Sequence, residues 1–298
     1  MMNSSSKLKL HGFNNLTKVL SFNIYDVCYA KTPREQQDYI AYIDQQYSSE
    51  RLTKILTRVT EMIGARILHI SKQDYDPQGA SVTILLGESS KTPVVRSTPP
   101  SEVPAEPSGG TTDLINGTGD AVVAHLDKSH VTVHTYPEYH PDTCLATFRV
   151  DIEVATCGTI TPLSTLDFLI GSFDSDIITM DYRVRGFTRE ISGQKLFIDH
   201  RMASIQEFID AGTLRRYDTV DINVYDCNLF HTKMLIKDLD LQNYLFKTDV
   251  YELPPAERLA ITSSLRREMI EIFSGRNLYY TDGYSPPDRP SETSTKSD

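Results

Sequence analysis

Residues 131–135, VTVHT, constrain the fold more than any other stretch of this chain. Val131, Thr132, Val133 and Thr135 branch at Cβ, which restricts χ1 and favours an extended, pleated backbone. The run sits inside AHLDKSHVTVHTYPEYH, residues 124–140, which carries the histidines 125, 130, 134 and 140. On a helix, His130 and His134 would lie one turn apart and could grip one ion. On a strand they still share a face, but they stand about 13 Å apart. That separation is too large for a single metal, so the histidines read as a mixture of surface and core residues.

Similar strand signals recur on both sides. LSFNIYDVCYA (20–30), ARILHIS (65–71), ASVTILL (80–86), AVVAHL, ATFRVDIEVA and DIITMDYRV all read as strands. Pro33 opens a helix with Tyr39, Ile40, Ile43 and Tyr47 at helical spacing. A second helix carries Leu52, Ile55, Leu56, Val59, Met62 and Ile63 on one stripe, with Gly64 as its stop. PLSTLDFLIGS, HRMASIQEFIDAG and PPAERLAITSSLRREMIEIFSG read as further helices, and TVDINVYD as a late strand. The fold class expected is α/β in the α+β sense, a mainly antiparallel sheet with helices on one face. Residues 87–120, rich in Pro, Ser, Gly and Thr, read as a flexible insertion, and 279–298 as a disordered tail. The expected division is a core over 7–195 interrupted by that insertion, then a mostly helical extension over 196–278.

Composition narrows the function classes. Acids outnumber bases 40 to 30 for a net charge of −10, the opposite of the basic stripe that nucleic-acid binders use against phosphate. No window reaches the ~18 apolar residues of a membrane span, and no secretory h-region opens the chain. The cysteines 28, 144, 157 and 227 are scattered without C-x-x-C spacing. Reduced thiols in a cytoplasm are therefore expected, not a zinc or disulfide framework. No G-x-S-x-G elbow or standard glycine-rich phosphate loop is present. From spacing alone, Ser129 is a turn serine.

LDKSHVTVHTYPE, followed by VATCG, resembles the self-processing site of bacterial S-adenosylmethionine decarboxylase. HGFNNLTK, DYDPQGASVTILL, IITMDYRVRGFTR and REMIEIFSGRN resemble the longer, magnesium-dependent bacterial subclass. The resemblance runs from about residue 7 to 278, excluding most of the insertion. It implies cleavage between Lys128 and Ser129, with Ser129 converted into the pyruvoyl group that forms a Schiff base with substrate. Lys128 itself matches the longer subclass, the shorter one having Glu there. By the same resemblance His134 is the processing base, Ser81 assists processing and Cys157 is the general acid of decarboxylation. Glu138 would bind the ribose hydroxyls and Tyr75 would stack on adenine, although related enzymes often have Phe at that place.

Further implications are pairing of sheets into an αββα sandwich in a homo-oligomer of cleaved chains, and magnesium as an activator with no ligands nominated. The implied reaction converts S-adenosylmethionine to its decarboxylated form and CO2 for polyamine biosynthesis. Two alternatives stay open: a pyruvoyl-dependent arginine or ornithine decarboxylase, and an unprocessed, non-catalytic homologue. One demand follows from spacing. Residues 129 and 134 are an odd number apart, so a bulge or bend is required between them if both are to act on one face.

Overall fold

The computed structural model describes residues 10–87, 129–140 and 142–278. The insertion beyond Gly87, the AVVAHL run, Lys128 and the tail at 279–298 lie outside the described residues. In chain order the elements are β1 (Leu10–Asn14), β2 (Thr17–Tyr29), α1 (Pro33–Gln46), α2 (Ser49–Met62), β3 (Arg66–Asp74), β4 (Ala80–Gly87), β5 (His130–His140) and β6 (Leu145–Cys157). There follow α3 (Leu166–Ser172), β7 (Ile177–Arg185), β8 (Thr188–Glu190), β9 (Lys195–Leu196), α4 (Ala211–Arg216), β10 (Tyr217–Asp221), β11 (Leu229–Ile236) and α5 (Pro255–Ser274).

Eight strands form one sheet in the order β10-β11-β7-β2-β6-β5-β4-β3, while β1, β8 and β9 make a small second sheet. Every strand pair within these sheets is antiparallel. The large sheet is two-faced because its strands alternate. In β2, Leu20, Phe22 and Ile24 are buried while Ser21, Asn23 and Tyr25 are only half-buried. Phe148, Val150, Ile152 and Val154 of β6 continue that core, as do Val131 and Val133 of β5 and Val82 and Ile84 of β4. Helix α2 presents Leu52, Ile55, Leu56 and Val59 to it and packs on β3, β4 and β5. Each such side chain contributes about 1.5–3 kcal/mol by leaving water.

Local signals account for the helix ends. Thr32 and Glu35 form a reciprocal capping box ahead of Pro33. Asp74, at the end of β3, accepts from the Ser49 backbone N–H at 2.7 Å and from its hydroxyl at 2.9 Å, tying the β3–β4 hairpin to the start of α2. Gly64 and Gly275 stop α2 and α5 with φ of +72° and +64°.

The chain departs from the sequence expectation in three places. HRMASIQEFIDAG is not one helix: it holds a 3₁₀ turn at Ile205–Phe208 and the start of α4. Ser204 and Asp210 each cap a separate short turn there, which breaks the run. Residues 196–278 are also less helical than expected, since β10 and β11 extend the main sheet. The alternation of Phe230, Thr232, Met234 and Ile236, all buried, is the signal for β11. Finally, α5 adds a helix on the other side of the sheet. Its Phe273 carbonyl accepts from Lys233 Nζ at 2.5 Å, and Lys233 lies on the face opposite buried Met234.

Candidate active site

The face of the sheet away from α2 carries the candidate residues. Alternation places His130, Thr132, His134, Tyr136 and Glu138 of β5 on this side. Register fixes their neighbours. His134 lies opposite Ser81 of β4 and Asp151 of β6, His130 opposite Ala155, and Glu138 opposite Thr147.

Around His134 the groups are joined. The Tyr75 hydroxyl lies 3.2 Å from His134 Nδ1, and the Tyr136 ring stacks on the imidazole at 6.4 Å with 14° between planes. Arg149 pairs with Asp151, its Nε donating to Oδ1 at 2.8 Å, and its guanidinium lies 4.9 Å over the Tyr136 ring. Four residues back along β5, His130 Nε2 is 3.3 Å from Glu153 Oε1, and the Ser21 hydroxyl donates to Glu153 at 3.4 Å. The His130 hydrogen bond is the largest influence on Glu153, holding its carboxyl below the ordinary glutamate value. Exposed Glu138 lies toward α5, where burial, then Glu271 and Glu138, raise the Glu268 carboxyl.

Ser129 and Cys157 occupy the other end. Ser129 is 5% exposed, and its carbonyl accepts from the Leu86 N–H at 2.7 Å. This continues the β4–β5 ladder past the Leu85–His130 pair. One register step beyond His130–Ala155, the backbone of Ser129 comes level with Thr156, the residue before Cys157. Cys157, half-buried and in no disulfide, ends β6 opposite Thr17 of β2.

The turn after Cys157 is held from below by Lys18, which is fully buried. Lys18 Nζ donates to Gly158 O at 3.0 Å, Ile160 O at 3.2 Å and Asp199 Oδ2 at 2.5 Å. His200 Nδ1 lies 2.8 Å from the other Asp199 oxygen. Burial alone would raise the Asp199 carboxyl, but the hydrogen bonds from His200 and Lys18 outweigh it and hold it below its ordinary value. Spacing gave no hint of this arrangement, because residues 18, 158 and 199 meet only through the tertiary fold.

The bulge demanded between 129 and 134 is not there. Both ladders of β5 run from His130 to His134 without a register shift. Ser129 therefore shares the parity of buried Val131 and Val133, and His134 lies on the other face about 17 Å along the strand. The structure brings Ser81, Tyr75 and His134 together, and brings the Ser129 backbone level with the end of β6. It does not bring His134 to Ser129 within one chain.

The residues present fit a group generated from Ser129: a buried serine at the end of a ladder, its carbonyl fixed, beside a strand that ends in a thiol outside any disulfide. Among the described residues no group of three or more His, Cys, Asp and Glu is placed to hold a metal ion, and no magnesium ligands are named.

No family model matches the chain. Curated relatives named S-adenosylmethionine decarboxylase proenzyme do. That of Clostridium beijerinckii is 67% identical over 279 residues, covering 94% of this chain and 100% of the relative. That of Alkaliphilus oremlandii is 63% identical with the same coverage, and that of Hahella chejuensis is 59% identical over 276 residues, 93% of this chain and 100% of its own. A solved adenosylmethionine decarboxylase from Aquifex aeolicus aligns with a TM-score of 0.30 and 14% identity over 64% of this chain and 100% of its own, too slight a likeness for argument. At two-thirds identity across the whole of a relative, the chain belongs to the S-adenosylmethionine decarboxylase proenzyme family.

Proposed function

We propose that this chain is a self-processing decarboxylase acting on S-adenosylmethionine, with its pyruvoyl group made from Ser129. The observation that carries the reading is the end-to-end identity with proenzymes of that name, supported by the buried Ser129 at the end of the β5 ladder. In processing, the Ser129 hydroxyl attacks the Lys128 carbonyl and turns the amide into an ester. Loss of the Ser129 α-proton then expels the Lys128 carboxylate, and the remaining unsaturated residue takes up water and loses ammonia. Cleavage frees residue 129 from its preceding peptide, so strand parity no longer dictates where it points. The group formed there supplies an electrophilic carbonyl and an electron sink.

This chain's own residues do the rest. Cys157 returns a proton to the substrate carbon as general acid. Glu138 accepts from the two ribose hydroxyls and the Tyr75 ring stacks on adenine. His134 and Ser81, paired across β5 and β4, serve processing. They stand about 17 Å from Ser129 along the strand, so the site is incomplete in one chain. The homo-oligomer, an αββα sandwich, belongs to the same reading. Magnesium as an activator belongs to the same reading, but no step is routed through it.

Among the described residues no helix is long and apolar enough to cross a membrane, and no two cysteines are joined. Work in the cytoplasm belongs to the same reading.

Intact mass of the purified protein tests the proposal first. Two pieces, residues 1–128 and 129–298, are expected, the second starting with a pyruvoyl group. A chain that stays whole cannot be this enzyme. Turnover of arginine or ornithine without turnover of S-adenosylmethionine would sink the substrate assignment.

A further inference from the structure

Tyr75 does more here than offer a ring. Its hydroxyl is 3.2 Å from His134 Nδ1, and the turn that carries it is fastened to β5 at several points. The Tyr75 N–H donates to Gly79 O at 2.8 Å and closes the turn. Gln78 Nε2 donates to Pro137 O at 2.5 Å, and Ala80 N–H donates to the Thr135 hydroxyl at 2.8 Å. Asp44 of α1 accepts from Gly79 N–H at 2.9 Å. Gly79 itself has φ of +94°, and a Cβ there would meet Thr135 O at 2.5 Å and Tyr75 Cδ2 at 3.3 Å. Only glycine lets the turn lie this close to β5, so the approach of the Tyr75 ring to His134 is built into the backbone.

A neutral imidazole has one N–H and one lone pair, and the partner of one nitrogen decides which nitrogen keeps the lone pair. We propose that the Tyr75 hydroxyl is a positioning group for His134: it accepts from Nδ1–H and so leaves the Nε2 lone pair to take the processing proton. The inference rests on the reading of His134 as the processing base and deepens it. The Tyr136 ring, 14° from parallel to the imidazole, lines its plane, while Tyr75 fixes its tautomer. A phenylalanine at 75 would keep the stacking surface for adenine and lose this control.

The test uses the full chain carrying Ser129→Ala, which cannot cleave, labelled with 15N-histidine. His134 Nδ1 is expected to be the protonated nitrogen, and adding Tyr75→Phe should shift the ring to a mixture of tautomers. A proton found on Nε2 with Tyr75 in place overturns the proposal. In the otherwise native chain, Tyr75→Phe should slow self-cleavage about 5- to 10-fold, the worth of one hydrogen bond. Unchanged cleavage in Tyr75→Phe, alongside failed cleavage in His134→Ala, overturns the role of Tyr75 alone. Normal cleavage in His134→Ala overturns the base assignment and the role of Tyr75 together.

Discussion

The two ends of the polar face are built by different means. At the His134 end, every support is local in sheet terms: Ser81 and Asp151 are the cross-strand neighbours, and Tyr75 sits on the turn just before β4. At the Cys157 end, the turn Gly158–Ile160 rests on a buried ion pair between residues from the start and the middle of the chain, Lys18 and Asp199. The first end is placed by register, the second by burial of charge. In the proposed roles, a base that needs only a tautomer can be set by a neutral hydrogen bond. A thiol at a strand end, with no following strand to hold it, needs its turn clamped.

The sharpest break between the ends comes from chemistry. Ser129→Ala is expected to abolish cleavage and turnover together, leaving a single band on a denaturing gel; any cleavage at 128–129 in that variant would refute the mechanism. Cys157→Ala should leave much of the cleavage and lower decarboxylation by about 10²–10⁴-fold. Equal losses in both steps would mean that the ends do not divide the labour as described.

Lys18→Met probes the clamp. It leaves Asp199 buried without its cation, which destabilises by about 3–5 kcal/mol, read as a lowered urea midpoint. Turnover should fall with it, while the pairing of Ser81 with His134 persists. A variant as stable as the parent would show that the ion pair is not what holds the turn.

Acid should separate the ends without mutation. The Asp199 carboxyl is held below its ordinary value of 3.8, so its contribution is complete above about pH 4 and is lost as pH falls through its folded value. Amide exchange at Gly158 and Ile160 should therefore accelerate, relative to Gly79 and Ala80, as the pH drops toward 3. Uniform acceleration at both ends would argue against the contrast.

The smallest effect expected is a control for buried carboxyls without a cation. Burial, and then the neighbouring Asp176, raise the Asp26 carboxyl well above its ordinary value. Burial also pushes Asp176 up to about 6, although the Tyr244 hydroxyl and the Val27 N–H donate to it. A raised acid costs nothing while protonated and destabilises as pH rises past its unfolded value. Asp26→Asn should thus stabilise the protein by about 1 kcal/mol at pH 8 and have little effect at pH 4. A thermal melt at the two pH values checks the sign, which is opposite to that at Asp199.

Much of this was legible before any coordinates. Alternation named β2, β3, β4, β5, β6 and β7, because a half-buried strand must repeat its apolar residues every second position. Pro33 and the helical spacing behind it placed α1, and a stripe with a glycine stop placed α2. Where signals were local but competing, as at Ser204 and Asp210, the periodicity of an apparent helix misled. The resemblance supplied residue identities for the site, and the register of β4 against β5 then set Ser81 opposite His134.

By itself, then, the sequence determined the strands and the main helices, since these depend on side-chain type and short spacing, while the reactive residues were named only by its family resemblance. Tertiary structure decided the rest. It chose which distant residues meet, Lys18 with Asp199 and Tyr75 with His134, because such contacts depend on sheet order and not on separation along the chain. It also removed the expected bulge and so parted His134 from Ser129. An unbroken ladder satisfies every backbone hydrogen bond between them, and an unbroken ladder keeps residues of opposite parity on opposite faces.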